Sequence, residues 1–512
     1  MVHISATPTS ASAPNAPPPN APPPPTAPPA KKRRVSRAVA AIIVVVVLVA
    51  AGVGGYYVYK YYTASSSSNT ITVGMPIPLN SLIGQSMLDS ANLAVNQINA
   101  AGGVNVNGTS YNYKIVTYDT QEADPSIPIQ NGINGVTSLI TSDHVNFMIG
   151  GYRSDVVLAE LPIVAQYKEL YITFGADTGI SSFVAQNYSS GGEYIFNGFL
   201  NTTNQGAQYA YLPIFLLDAY KEGLIPTNIT KIAILGEDAA WTESDIGTGG
   251  LSGGCPLAVD FGLFGFQPTY CNTFPLNPSG GSYDSLLQTL ANAGTQAIYI
   301  LAAGTETPLL VSNYGAFNWG SNGKPLLLGA DVMAEFNGNS ASTNYYQMTS
   351  GGAASEMTFG WGPTLAQDFT PTSIPFYNEF VANYSQNPIF ADGFVYSAFY
   401  YLAHAIEQAK SLAPLSVIPY LQKTDYIGPM GTVQFSSSHG LVIPINATNP
   451  NPDIPAFGMQ WHSNGQLYPL WSSLWAKPSF WAATQFETGS SVSFENYETP
   501  SGTEIGNFTV VL

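Results

Sequence analysis

Charged residues are scarce in this sequence, and basic residues are the scarcest. Only 9% of the 512 residues are charged, with 32 acidic against 15 basic side chains. No acidic residue precedes position 61, so the part after Lys60 combines nine basic residues with all 32 acids, a formal charge of −23. A surface of that sign repels phosphate backbones and anionic lipid. Nucleic acid is therefore not expected as a partner.

Cysteine, histidine and catalytic motifs are also sparse. The four histidines after Lys60 lack metal-ligand spacing. The two cysteines, Cys255 and Cys271, have no histidine nearby. Outside a cell such a pair forms a disulfide by default, two free thiols being the alternative. We expect neither a metal nor another cofactor.

A long apolar run is present at residues 38–59, and it contains no charged side chain. About 20 such residues can cross the hydrocarbon core as a helix. Five basic residues lie just before the run and only Lys60 just after it, which places the N-terminus in the cytoplasm. We expect a single-pass membrane protein whose main domain is extracytoplasmic. A cleaved signal peptide is the alternative.

The segments that flank this run have the composition of unfolded chain. Residues 1–37 are rich in Pro and Ala and end in a basic cluster, so they predict a disordered cytoplasmic tail. A translation start assigned too far upstream is an alternative for its first part. Residues 60–69 are rich in Ser and predict a flexible tether.

Strands and helices alternate from residue 70 onward. Residues 70–76 predict a buried strand, and 86–101 predict a helix with one apolar stripe that ends at a Gly-Gly pair. Residues 145–150, 155–168 and 170–174 predict a βαβ unit with parallel strands. The alternation continues through a helix predicted at 205–221 and strands predicted at 231–235, 297–301 and 325–328. This rhythm indicates an α/β fold, and its length favours two α/β lobes.

Several segments resemble a known family in order and spacing. They read ITVGMPIPL…GQSMLDSANLAVNQINAAGGV at 71–104, MIGGYRSDVVLAELPIVAQYKELYITFGADT at 148–178, ADGFVYSAFYYLAHAIEQAKS at 391–411 and YIGPMGTVQFSSSHG at 426–440. The sequence thereby resembles the extracytoplasmic solute-binding proteins of ABC transporters of the branched-chain amino acid and amide type. The resemblance implies a type I periplasmic-binding fold, with two Rossmann-like lobes joined by three hinge crossings.

The resemblance also implies domain boundaries. The crossings are expected near 194–201, 356–363 and 428–433. The first lobe would then comprise 70–196 and 362–430, and the second lobe 197–361 and 431–476. Residues 477–512 would form a C-terminal extension.

Two turns in the first lobe are candidates for ligand binding, because ligands of open α/β sheets lie beyond the carboxyl ends of the strands. In the family the matching loops hold a ligand carboxylate. Arg153, the only arginine after the apolar run, predicts a fork for a planar anion; the alternative is an ion pair with Asp155, Asp177 or Glu160. The candidate residues are Tyr152, Arg153, Ser154, Gly175, Ala176, Asp177 and Thr178.

The second lobe contributes four candidates that follow its predicted strands. Trp241 stands where family members commonly carry an aromatic residue across the ligand, and core packing is its alternative role. Gly304 and Thr305 follow the strand at 297–301. Asp331 lies where amino-acid-binding members place an acid for the ligand ammonium, and helix capping is its alternative. Asp331 opposite Arg153 would form a clamp for a zwitterion.

The resemblance implies a solute-binding subunit that is not an enzyme. It would capture an amino-acid-like or other carboxylate-bearing solute and deliver it to an ABC permease and its ATPase. A ligand-sensing receptor ectodomain, an exterior hydrolase and a structural surface protein are the alternatives. Paired carboxylates for glycoside cleavage could exist among the 32 acids, although nothing in the sequence marks them.

Overall fold

The structure is a computed structural model that describes residues 69–124, 126–200, 229–263, 265–276, 278–442, 456–471, 491–498, 502 and 504–511. The predicted tail, the membrane span at 38–59, the tether up to residue 68 and a helix predicted at 205–221 lie outside these residues. Among the helices within the described ranges, none combines the length and the apolar character that a bilayer crossing requires.

The first sheet has six strands in the order β2-β3-β1-β4-β5-β6, and only the edge strand β2 runs antiparallel. With its helices it forms the first lobe. In chain order the elements are β1 (Thr70–Ile77), α1 (Leu82–Ala100), β2 (Val104–Val106), β3 (Thr109–Asp119), α2 (Gln130–Thr141), β4 (Phe147–Gly150), α3 (Ser154–Tyr167), β5 (Tyr171–Thr173), α4 (Thr178–Asn187) and β6 (Ile195–Asn197).

Local sequence explains the first of these elements. The side chains of Ile71 and Val73 in β1 are fully buried. Helix α1 begins after Ser81, whose hydroxyl accepts a hydrogen bond from the Gly84 backbone N–H. It ends before Gly102, whose φ of 108° is readily accessible only to glycine. The predicted βαβ unit is present as β4, α3 and β5, with parallel pairing of β4 and β5.

The second sheet has seven strands in the order β16-β15-β11-β10-β9-β7-β8. Strands β7 to β11 are parallel, and β15 and β16 add an antiparallel hairpin. This second lobe contains β7 (Lys231–Glu237), α5 (Glu243–Ile246), α6 (Pro256–Leu263), β8 (Gln267–Phe274), α7 (Asp284–Asn292), β9 (Ala297–Ala302), α8 (Thr307–Ala316), β10 (Leu326–Asp331), α9 (Tyr345–Met348), β11 (Met357–Trp361), β15 (Ala456–Trp461) and β16 (Leu467–Trp471).

The chain returns to the first lobe between β11 and β15. Three helices and three short strands lie there: α10 (Ser373–Tyr384), α11 (Phe390–Ala409), α12 (Pro414–Leu421), β12 (Tyr426–Gly428), β13 (Gly431–Phe435) and β14 (Leu441–Val442). Helix α11 packs on α1, where the Ser86 hydroxyl donates to the Asp392 carboxylate over 2.6 Å.

Strands β13 and β14 contact the first lobe, whereas residues 431–476 were predicted to belong to the second lobe. The Phe435 ring lies 5.1 Å from the Phe196 ring, and His439 stacks on Phe196 at 3.9 Å. The backbone of Gly440 also bridges to Asn197 at the end of β6. These contacts are between aromatic rings far apart in sequence. The local sequence of the two short strands therefore does not indicate the lobe against which they pack. The chain passes to β15 through residues 443–455, outside the described part.

Two features stabilise the second lobe. A disulfide joins Cys255 and Cys271, which connects the start of α6 to β8. The predicted C-terminal extension contains a β-hairpin, β17 (Ser491–Glu498) and β18 (Glu504–Val511). The Glu498 backbone exchanges two hydrogen bonds of 2.8 Å with the Gln460 side chain, which docks the hairpin against β15.

Candidate functional site

One cavity of about 260 Å³ lies between the two lobes, at the carboxyl ends of the parallel strands. The first lobe contributes residues that follow β3, β4, β5 and β6, and the second lobe contributes residues that follow β7, β8, β9 and β10. Phe390, at the start of α11, closes one side. The convergence of two sets of strand ends places this cavity where open α/β sheets bind ligands.

Aromatic and acidic side chains dominate the cavity wall. Besides small apolar residues, the wall contains the aromatic side chains of Tyr152, Phe174, Phe199, Trp241 and Phe390 and the acidic side chains of Glu122, Asp155, Glu237, Asp238, Glu306 and Glu335. All four glutamates are buried. A cavity of this composition offers apolar surface together with many hydrogen-bond acceptors.

Tyr152 connects the lobes across the cavity. Its hydroxyl donates a 2.5 Å hydrogen bond to the backbone carbonyl of Ala303, which follows β9 in the second lobe. Burial raises the pKa of Tyr152 well above its ordinary value. The carboxyls that raise this pKa further are those of Glu237, Glu335, Glu306 and Glu122. Tyr152 therefore lies among all four cavity glutamates, and its hydroxyl is engaged by the opposite lobe.

Arg153 lines the cavity, but its guanidinium donors are all hydrogen-bonded to other groups of the protein. Its Nε and Nη2 donate to the Asp155 carboxylate at 2.6 and 3.1 Å. Nη1 donates to the carbonyls of Glu122 and Asp124, both at 3.1 Å, and Nη2 donates to that of Ile127 at 3.4 Å. All five guanidinium N–H groups thus have acceptors within the first lobe. The pairing with Asp155, considered above as the alternative, is the arrangement in the structure.

The other first-lobe candidates differ in position. The buried Ser154 hydroxyl accepts hydrogen bonds from the backbone N–H groups of Ala176 and Asp177, at 3.0 and 3.2 Å, so it joins the two predicted loops. Ser154 and Ala176 line the cavity. Gly175, Asp177 and Thr178 do not line it. The Asp177 carboxylate instead caps helix α4 by accepting from the Gly179 N–H.

Glu237 organises the second-lobe wall. One of its carboxylate oxygens accepts from the indole N–H of Trp241. The other accepts from the backbone N–H groups of Ala303 and Gly304 at 2.9 and 2.8 Å. Three candidate residues predicted from the sequence lie near Glu237. Trp241 and Gly304 line the cavity, whereas Thr305 is exposed and does not line it.

Asp331 lies at the end of β10, and its carboxylate turns into the second lobe. Oδ1 accepts from the Thr307 hydroxyl at 2.8 Å and the Met333 N–H at 2.9 Å, and Oδ2 accepts from the Tyr345 hydroxyl at 2.6 Å. Burial raises the pKa of Asp331 to about 6. Since Asp331 does not line the cavity and Arg153 has no free donor, the structure does not form the zwitterion clamp.

Three glutamates of the wall were missed by the sequence reasoning. Burial raises the pKa of Glu122 to about 8. Burial, followed by the neighbouring Glu237 carboxylate, raises the pKa of Glu306 to about 10. Burial also raises the pKa of Glu335 well above its ordinary value. The available signal was their position: each acid follows a strand end by a few residues.

The absence of a side chain at Gly304 leaves room for the Glu306 carboxyl. A Cβ atom built on Gly304 would lie 2.3 Å from Oε2 of Glu306, so the glycine provides the space in which this carboxyl lies. Gly151 has a similar role before Tyr152, because its φ is 74° and its Cβ would lie 2.4 Å from the Tyr171 hydroxyl. These two glycines set the form of the two loops that face each other.

Two α/β lobes with a cavity at their strand ends define the type I periplasmic-binding fold. Residues 70–445 match the family described as periplasmic binding protein, and the chain belongs to this family. The family recognised from the sequence is therefore confirmed.

Solved structures share this fold. One is the branched-chain amino acid transporter substrate binding protein LivJ from Streptococcus pneumoniae in complex with isoleucine, at 18% identity and a TM-score of 0.57, covering 78% of this chain and 97% of that one. The leucine binding protein LivK from Thermotoga maritima shows 15% identity, a TM-score of 0.56 and the same coverages. A solute binding protein of an ABC transporter from Rhodopseudomonas palustris, in complex with 3,4-dihydroxybenzoic acid, shows 16% identity, a TM-score of 0.56 and coverages of 87% and 99%.

Proposed function

We propose that this protein is the extracytoplasmic solute-binding subunit of an ABC importer. It captures a small organic solute between its lobes and delivers it to a membrane permease driven by an ATPase. The observation that carries the proposal is the cavity whose wall is shared by the strand ends of both lobes. A solute there contacts both lobes at once, so it favours the closed arrangement by its differential affinity.

Contacts across the cavity support closure as the working motion. The Tyr152 hydroxyl on the first lobe and the Ala303 carbonyl on the second form a hydrogen bond only when the lobes are close together. Two of the solved structures that share the fold have a ligand bound, isoleucine in one and 3,4-dihydroxybenzoic acid in the other. We propose binding without turnover, and a membrane attachment through residues 38–59 that keeps the domain near its permease.

Thermal unfolding of the purified full-length protein tests the proposal. The panel contains amino acids, aromatic acids, amines, amides and sugars. We expect at least one class to raise the Tm in a concentration-dependent way, because a ligand that binds only the folded state stabilises it. Recovery of the unchanged solute after incubation would agree with binding alone, and its chemical conversion would favour an enzyme.

A variant pair locates the binding site. Trp241→Ala removes the indole from the cavity wall, so we expect about tenfold weaker binding of any solute found. Leu263→Ala is the control, because that side chain is 78% exposed on α6 and does not line the cavity. A panel in which no solute of any class raises the Tm would contradict the proposed function, as would a solute whose affinity is the same in both variants.

A further inference from the structure

Acidic side chains outnumber basic ones on the cavity wall. Six acidic side chains line it, and Arg153 is the one basic side chain on the wall among the described residues. All five N–H groups of Arg153 are occupied by the protein. A carboxylate ligand would therefore meet acids without a free guanidinium to bind it.

Several buried acceptor atoms on the wall have no hydrogen-bond donor. By hydrogen-bond geometry, both carboxyl oxygens of Glu306 and Oε2 of Glu122 are in this state, although the side chains of Glu237 and Thr120 lie close enough to act on the pKa of these carboxyls. The two residues are 8% and 1% exposed, and both line the cavity. Buried acceptors without donors are unfavourable by themselves. A solute that donates hydrogen bonds would satisfy these atoms.

Two aromatic donors on the wall are already used. The Tyr152 hydroxyl donates to the Ala303 carbonyl, and the Trp241 indole N–H donates to Glu237. The wall therefore presents acceptors and aromatic surface, and such a combination suits an organic cation. A metal ion does not fit, since no group of three or more His, Cys, Asp or Glu within the described residues is arranged to hold one.

Given the solute-binding role proposed above, we infer that the cavity selects an organic cation that donates hydrogen bonds, such as a primary ammonium or a guanidinium. Its N–H groups would be bound by Glu306 and Glu122. Its apolar part would lie against the rings of Trp241 and Phe390, which are on the same wall. An anionic group on the solute would lower its affinity.

Proton release distinguishes this ligand class from the others. Glu306 and Glu122 are protonated in the absence of a cation at neutral pH, because burial raises the pKa of these groups to about 10 and about 8. A bound cation favours their ionised forms, so binding releases protons and the affinity rises with pH. The other titratable groups that act on these carboxyls or face the cavity are Tyr152, Arg153, Asp155, Glu160, Tyr171, Glu237, Asp238, Tyr283, Asp331 and Glu335.

The test is calorimetric titration of the full-length protein with matched solutes. One set is isopentylamine, 4-methylpentanoate and leucine, which share a side chain and differ in charge. A second set is phenethylamine, 3-phenylpropionate and phenylalanine, and a third is agmatine with glucose, Mg²⁺ and Ca²⁺. We expect at least one amine or guanidinium to bind about tenfold or more tightly than its acid and zwitterion partners, with an affinity that increases from pH 5 to pH 8.

Two variants connect the effect to the wall. Glu306→Gln keeps the shape and removes the ionisable group, so we expect about tenfold weaker cation binding and less proton release, measured in buffers of different ionisation enthalpy. Asp143→Asn is the control: it makes the same replacement of a carboxyl by an amide at an exposed position outside the cavity, and its affinity should equal that of the parent.

The outcomes separate the two levels of proposal. Tighter binding of the acids, the zwitterions, glucose or the metal ions than of every cation would overturn the cation inference and leave the solute-binding function standing. Cation binding that is independent of pH and of Glu306→Gln would overturn it as well. Absence of binding by every class would remove both proposals.

Discussion

Substitution of Arg153 tests whether this residue holds a loop or binds a ligand. In the structure its guanidinium joins Asp155 to three carbonyls of the segment 122–127. Arg153→Ala leaves these carbonyls without donors. We expect a loss of stability, with only a secondary effect on solute affinity through the shape of the loop.

The magnitude follows from the separate contacts. The ion pair with Asp155 contributes at most about 1 kcal/mol, because the aspartate side chain is 40% exposed and solvent screens the pair. Each hydrogen bond from Arg153 to a carbonyl contributes about 1 kcal/mol, and the bond of 3.4 Å to Ile127 contributes less. The expected loss in the free energy of unfolding is therefore about 2–3 kcal/mol.

Urea denaturation of the full-length protein, with hydrogen exchange of the amides in 120–128, measures this effect. Arg153→Lys is the informative companion, because an ammonium keeps the charge and cannot form the planar fork. We expect Lys to recover less than half of the loss and the exchange of 120–128 to accelerate in both variants. Unchanged stability and exchange, combined with a hundredfold loss of affinity for a carboxylate solute, would refute the structural role and restore the predicted anion fork.

Three other results are expected. Replacing Cys255 and Cys271 together by Ser should lower the free energy of unfolding by about 3 kcal/mol in urea titrations, since the disulfide closes a loop with a sequence separation of 16. An equal Tm with and without reductant would contradict a stabilising disulfide. Glu122→Gln should raise the Tm at pH 8 and leave it nearly unchanged at pH 4. The folded-state pKa of Glu122 is raised to about 8, so its contribution to stability is complete below the unfolded pKa of about 4.5 and is lost as pH rises through 8. A difference in Tm between variant and parent that widens on acidification would contradict this sign. Tyr152→Phe removes the hydrogen bond to Ala303 and should weaken solute binding by about fivefold, with a larger radius of gyration in X-ray scattering; unaltered affinity and radius would exclude this bond from closure.

The pH of the medium sets the ionisation of the carboxyls on the cavity wall. In an acidic medium more of the cavity carboxyls are protonated and the attraction for a cation falls. The measured pH dependence of affinity reports directly on this behaviour.

Sequence pattern was sufficient for the fold class and for part of the site. The apolar strand at Thr70–Ile77 and the striped helix at Leu82–Ala100 are local patterns, and the structure has both within a few residues of the predicted bounds. The rule that ligands lie beyond strand ends selected Tyr152, Ser154 and Trp241, which all line the cavity. These predictions depend on backbone periodicity and on the succession of strands and helices along the chain, which are local patterns.

Side-chain direction and long-range partnership were decided only by the tertiary structure. Asp331 turns toward Tyr345, and Arg153 turns toward Asp155 and the segment 122–127, so the two ends of the predicted clamp bind the protein itself. The glutamates of the wall come from separate loops of both lobes, and no local pattern relates Glu122 to Glu306. Burial and convergence determine the charge of the cavity, and both arise only when the two sheets pack beside each other.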